Sequence, residues 1–411
     1  MSPRLAFIPL TVAAVLLATS CEITTGIFYT LANETEIGDK NLDNELTVSS
    51  MVASAGAYYV AAGAIWARDE WQWCSCSDDD DHTWSLVAND HGEAALVTAM
   101  VATTFRAADQ IYAGFYFPNA GSAADRYGLF RWTSPGDLAD ATWSEVAMAS
   151  ASGTEQIVGL FLIADGGDGI ADGGDGRLAV ITAEDTGITF DYSLHYSPDG
   201  TTFTAADFAG STTVSQRPTA VAFGGSDHFD GSDHFVVAGV EIYSGDITAT
   251  LAQSTLAPHS QTGISQPPLG YVGMLASTGS QLYVGDRQGH LYRSADGGSS
   301  WEQYPNTADD GSDQLEISST VVQFTTFAQK GSVVFAGTEG YGYVSFDDAT
   351  DLDETGVVRV SEASAPDLSS AAVSGFSVPS GTSTLFVHTA GAGLWSSDSD
   401  FGSTSINWLR E

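Results

Sequence analysis

The sequence predicts an all-β fold: a single β-propeller of seven four-stranded blades. Two observations predict it. Short apolar runs alternate with period two along almost the whole chain, and Gly, Ser, Thr, Val and aromatic residues crowd out helix formers. One phrase, an apolar strand ending in small residues, also returns seven times at spacings of about 45–70 residues, which suits four-stranded blades.

The first copy is Tyr58–Gly63, Tyr-Tyr-Val-Ala-Ala-Gly. The others are Gln110–Gly114, Arg177–Thr182, Phe235–Gly239, Gln281–Gly285, Val333–Gly337 and Thr384–His388. Each later copy follows another apolar segment: Ala94–Ala102, Gln156–Ile163, Thr219–Phe223, Tyr271–Ala276, Thr320–Phe327 and Ala371–Val378. These read as innermost strands, because small and β-branched side chains suit a crowded axis. The aromatics of the partner strands then fill the gaps between blades. Six or eight blades remain open, since residues 217–258 have a vague outer half.

The N-terminus reads as a processing signal. A short basic start at Arg4 leads into apolar Leu5–Ala18, then Leu-Ala-Thr-Ser before Cys21. Residues 1–20 read as a signal peptide and 21–45 as a tether with a ring-closing strand at 24–31; 46–411 is the propeller. The closing residues resemble a bacterial lipobox. That resemblance implies cleavage before Cys21, lipid on its sulfur and amine, and a membrane-anchored, exported protein. Cys74 and Cys76 form a strained disulfide or stay free, and with His82 they make only a weak metal signal.

A second element follows several strand copies. Ser294-Ala-Asp296-Gly-Gly298-Ser-Ser-Trp301 is its fullest form. Ser77-Asp-Asp79-Asp-Asp-His-Thr-Trp84 and Ser197-Pro-Asp199-Gly-Thr-Thr-Phe203 are variants, and Trp143 and Trp408 look like remnants. It resembles the Asp-box, or BNR, repeat of sialidases, sortilin-type receptors and photosystem-assembly lipoproteins. The resemblance implies that Asp79, Asp199 and Asp296 brace turns between third and fourth strands, with the aromatic packed between outer strands. It also implies that ligands meet the opposite rim, where second-to-third-strand loops lie.

On that rim the repeat places Trp66, Arg68 and Trp71 in blade one, and Tyr116 and Phe117 in blade two. Glu184 and Asp185 follow in blade three, Glu241 and Tyr243 in blade four. Asp286 and Arg287 belong to blade five, Glu339 and Tyr341 to blade six, and His388 to blade seven. Aromatics with carboxylates suit a protein, peptide or glycan ligand. No catalytic residue is assigned. Asp-box sialidases use three arginines and an Arg-Ile-Pro motif; this chain has Arg217-Pro218 without the middle residue. Binding is therefore expected in preference to catalysis. A glycoside hydrolase through Glu184, Glu241 and Glu339 is the second reading, and an envelope-complex assembly factor the third.

Two micro-repeats fall in first-to-second-strand turns. One carries Asp165, Asp168, Asp172 and Asp175, the other Asp227, Asp230 and Asp233. Calcium would suit such oxygen-rich, Gly-rich loops, but tandem duplication of a tolerant hairpin accounts for them better; no other cofactor is expected. The formal net charge of -39 repels phosphate and argues against nucleic acid. The expected state is a monomer.

Overall fold

The computed structural model describes the strands and short turns between Thr47 and Arg410. Residues 1–46, 70–83, 88–94, 119–125, 136–140, 149–154, 164–176, 207–212, 224–233, 239–241, 247–271, 295–301, 305–315, 348–357, 360–364, 379–383 and 399–405, with isolated positions, lie outside that description. So do Cys21, Cys74, Cys76, the strand expected at 24–31 and every aspartate of the two micro-repeats.

The chain is all-β, with small antiparallel sheets in a propeller arrangement. The first sheet holds β1 (Ser50–Ser54), β2 (Ala57–Ala62), β3 (Ala64–Asp69) and β4 (Ser85–Leu86). The second holds β5 (Leu96–Phe105), β6 (Ala108–Phe117), β7 (Arg126–Thr133) and β8 (Trp143–Val146). The third holds β9 (Gln156–Ile163), β10 (Arg177–Asp185), β11 (Phe190–Ser197) and β12 (Thr204–Ala205). The fourth has three described strands, β13 (Ala220–Phe223), β14 (His234–Ala238) and β15 (Ile242–Asp246). The fifth holds β16 (Val272–Thr278), β17 (Gln281–Asp286), β18 (Leu291–Ser294) and β19 (Glu302–Tyr304). A two-stranded ribbon follows, β20 (Glu316–Ile317) with β21 (Thr320–Val321). The sixth sheet holds β22 (Phe324–Lys330), β23 (Val333–Thr338), β24 (Tyr343–Asp347) and β25 (Val358–Arg359). After a one-turn helix, α1 (Pro366–Ser369), the last holds β26 (Ala372–Ser377), β27 (Leu385–Ala390), β28 (Leu394–Ser397) and β29 (Leu409–Arg410).

All seven recurring phrases fall on second strands, and the segments before them on first strands. Two details differ from the sequence expectation. Thr320–Val321 belongs to the ribbon, so the inner strand of the sixth sheet starts only at Phe324. The fourth sheet has three described strands where four are expected, and 247–271, where a fourth would fall, is outside the description. Helix α1 was not expected. Proline opens it, where a missing N–H costs nothing, and fully buried Ala365 and Leu368 seat it in the core of the last sheet.

First strands touch in sequence: β1 meets β5, β5 meets β9, β9 meets β13, β13 meets β16, β16 meets β22, β22 meets β26, and β26 meets β1. The last contact repeats the one before it. Thr325 Oγ1 donates to Val373 O at 2.6 Å, and Ser374 Oγ donates to Val48 O at 2.8 Å. In both, a hydroxyl on the inner strand is tied to a carbonyl at the inner strand of the next sheet.

The cores lie between neighbouring sheets. Tyr112, Leu129 and Ile157 share a cluster with Leu178, Val180 and Phe203; Phe335 and Tyr343 share one with Val387, Trp395 and Trp408. Tyr58, Val60 and Trp84 share one with Phe386 and Leu394, joining the first sheet to the last. In all three the aromatic before an outer strand (Phe203, Trp408, Trp84) meets the second or third strand of the preceding sheet. Burying such rings supplies about 2–3 kcal/mol each.

The turn at Ser197–Phe203 is held by the Asp199 carboxylate. The Asp199 carboxylate accepts the N–H groups of Thr201 and Thr202 at 2.9 and 2.8 Å, and the Ser197 hydroxyl at 3.1 Å. Gly200 takes φ +68°, and its carbonyl accepts the Tyr112 hydroxyl of the preceding sheet at 3.1 Å. Burial alone would raise the Asp199 pKa; the hydrogen bonds from Thr202, Thr201 and Ser197 outweigh it and hold the carboxyl well below the usual range. Asp199→Ala should cost about 2 kcal/mol in denaturant unfolding at pH 7. The folded-state pKa is depressed, so the wild-type advantage is present above about pH 4 and fades on acidification. An equal gap at pH 7 and pH 2.5 would contradict this. Of the residues in the other two copies of this sequence pattern, Trp84 is buried against the last sheet and Ser294 is buried at the end of β18. Ser77, Asp79, Asp296, Gly298 and Trp301 lie outside the described residues.

Candidate functional site: the hairpin rim

Second-to-third-strand hairpins define one rim. In the first sheet that hairpin is a single residue, Gly63 at φ +71°, between paired Ala62 and Ala64. This corrects the expectation for Trp66 and Arg68, which lie within β3. Arg68 pairs with Tyr58 towards the opposite end and is 2 % exposed, its guanidinium 4.8 Å from the Trp84 ring. It is core mortar, with its stem buried along aromatic surface. Trp71 lies outside the description.

In the second sheet, Tyr116 stacks on Tyr127 at 4.8 Å, close beneath the rim. Phe117 is buried against Phe115 and Phe130, with Arg126 lying over its ring at 5.2 Å. It is therefore not presented to a ligand. Arg126 in turn pairs with Glu145 at 2.9 Å.

The third sheet exposes its hairpin residues. Glu184 and Asp185 are exposed at the end of β10, facing Asp191 and Phe190 across the hairpin. The turn is braced. Thr186 N–H and Oγ1 both donate to Thr189 O, at 2.9 and 2.8 Å. Gly187 N–H donates to Asp185 Oδ1 at 2.7 Å, and Thr189 N–H to Thr186 Oγ1 at 3.3 Å. Gly187 sits at φ +83°, the first central position of a two-residue hairpin turn that glycine suits. The turn holds Ile188 outward at 94 % exposure beside Phe190 at 39 %. Sequence reading missed both; the Thr-Gly-Ile-Thr turn between two alternating strands was the available signal.

Beneath this hairpin lies a polar cluster also missed from sequence. His195 is buried, its Nε2 3.3 Å from Thr182 Oγ1 and 4.0 Å from Glu155 Oε2. Burial lowers the His195 pKa, so the ring is neutral at pH 7.

In the sixth and last sheets the rim hairpins repeat one device, Thr-x-Gly-x-Gly. Thr338 Oγ1 donates to Gly342 O at 2.9 Å and accepts Tyr341 N–H at 3.1 Å. Thr389 Oγ1 donates to Gly393 O at 2.5 Å and accepts Ala392 N–H at 3.2 Å. Glu339 is exposed on this rim, with its N–H bonded to Gln323 O, and Tyr341 is half-buried.

His388 departs from expectation. It is 2 % exposed within β27, against the first sheet. Ser377 Oγ donates to Met51 O at 2.8 Å, so it accepts from His388 Nε2 at 3.0 Å, which fixes the tautomer. Nδ1 is buried, with no hydrogen-bond partner among the described residues. Burial lowers the His388 pKa to about 3. Asp286 and Tyr243 lie at the rim ends of β17 and β15; Glu241 and Arg287 lie outside the description.

No protein-family model matches the chain, and no curated protein sequence matches it. Among solved structures it is similar to the computationally designed Ika8 protein, at 12 % identity over 89 % of this chain and 87 % of that one, with a TM-score of 0.49.

Proposed function

We propose that this chain is a lipid-tethered, seven-bladed ring that displays its hairpin rim to a protein, peptide or glycan outside the cytoplasm. One observation carries the binding reading. The rim hairpin of the third sheet holds Ile188 and Phe190 out to solvent on a hydrogen-bonded turn, and a rigid exposed apolar tip favours contact with a partner. Carboxylates and aromatics at Glu184, Asp185, Glu339 and Tyr341 extend the same rim. The cyclic order of first-strand contacts supports seven blades in one ring. The Asp199 hydrogen bonds support the Asp-box reading. The anchor rests on the lipobox-like residues ending at Cys21.

Capture from envelope extract by the detergent-solubilised chain, alongside a glycan array and a hydrolase panel, tests the reading. Retention of a partner or glycan, without turnover of hydrolase substrates, is expected. Hydrolysis with no capture would replace it with the enzyme reading. For the anchor, Cys21→Ser should move the protein from the detergent phase to the aqueous phase in cloud-point partitioning. Unchanged partitioning would refute lipidation at that residue.

A further inference from the structure

We infer that the β10–β11 hairpin is a docking finger for a protein partner that offers an apolar pocket edged by lysine or arginine. The inference rests on the binding reading above and names the partner's chemistry. Ile188 at the tip and Phe190 below it are exposed, and Phe190 continues into half-buried Tyr192 on the same strand face, ring centroids 6.3 Å apart. On the other face, Glu184 and Asp191 stand directly opposite each other in the antiparallel register. Like charges in that position repel. Neither has an ion-pair partner among the described residues. Asp185 differs, since its Oδ1 accepts the Gly187 N–H.

The finger therefore pairs an apolar face with a repelling pair of carboxylates at its neck. A partner cation placed there would relieve the repulsion as the apolar tip is buried. Charge also selects among occupants. A second copy of a chain with net charge -39 and an anionic lipid surface are both repelled; a basic protein surface is attracted. The four hydrogen bonds of the turn mean that little ordering is lost on binding.

Panning the full-length, detergent-solubilised chain against a displayed library of random peptides tests this. Enriched peptides should combine aliphatic or aromatic residues with Lys or Arg. Ile188→Ser with Phe190→Ser should weaken their binding at least about tenfold, while Ile188→Ser alone, at a side chain 94 % exposed, should weaken it with an unchanged melting temperature. Glu184→Gln with Asp191→Asn should flatten the salt dependence of binding. Enriched peptides that bind the double-serine variant equally would overturn the finger and leave the rim's binding role standing. Enrichment of nothing, or of acidic sequences, would overturn the finger; a chain that captures nothing in the extract and array experiments as well would take the binding reading with it. Binding to phosphatidylglycerol vesicles that depends on Ile188 and Phe190 would also overturn it, because the occupant would then be lipid.

Discussion

Gly285→Val should cost about 3 kcal/mol in equilibrium unfolding, at the upper end for overpacking of a core. A Cβ at Gly285 would stand 2.7 Å from Cβ, Cγ and Cδ2 of Phe324, closer than real contacts allow. Phe324 belongs to the first strand of the next sheet, is 3 % exposed and packs on Phe327 at 5.7 Å, so it has nowhere to retreat. The same geometry recurs at Gly114 against Ile157 and at Gly337 against Val373. In all three cases the glycine of a second strand touches the first strand of the following sheet. A valine variant of undiminished stability would mean that neighbouring sheets do not press together at this level.

The second large effect concerns the seam between the last sheet and the first. His388 ends the same recurring phrase that elsewhere ends in Gly114, Gly285 and Gly337. At the seam the position holds an imidazole, and Gly375 makes the room: a Cβ there would stand 2.9 Å from His388 Nδ1. The buried ring has a pKa near 3, against an ordinary value of 6.5 in the unfolded chain. Between those values the unfolded state binds the extra proton, so the histidine lowers stability as pH falls from 6.5 towards 3. At about 1.4 kcal/mol per pH unit, the stability difference should move by about 4 kcal/mol in favour of His388→Gln between pH 7 and pH 3.5. Denaturant titrations of both proteins across that range measure it. A difference that stays constant with pH would show that His388 is protonated as easily in the ring as outside it.

The strands were legible because their cause is local. Period-two alternation and the phrase ending in a small residue reflect side chains trapped between sheets, and both are visible in one dimension. The reason for the small residue was not visible, since Phe324 and Val373 come from the next sheet. Side-chain placement failed where burial depends on neighbours. Arg68 and Phe117 look like rim residues from spacing alone, yet both are covered, Arg68 by Trp84 and Phe117 by Arg126. His388 reads as a strand end in sequence, but β27 runs on through Thr389 and Ala390, which leaves the ring inside the seam. Glu184, Asp185 and Glu339 are exposed because they stand at hairpin ends, where exposure follows from the turn itself. Ile188 and Phe190 escaped notice because apolar residues beside a turn look like more strand.

Closure is the claim on which each rim position depends, and a distance between the two ends of the sheet array tests it directly. Nitroxides can be placed at Thr47 and Ser374, both exposed, in a background whose three native cysteines are serine. Ser374 already touches Val48, the neighbour of Thr47, at 2.8 Å. Pulsed dipolar spectroscopy should return one short distribution, under about 25 Å including the labels. An open array of seven sheets, each about 10 Å from the next, would place the labels about 60 Å apart. A distribution centred there would contradict the ring, and the assignment of the hairpins to a single binding rim would fall with it.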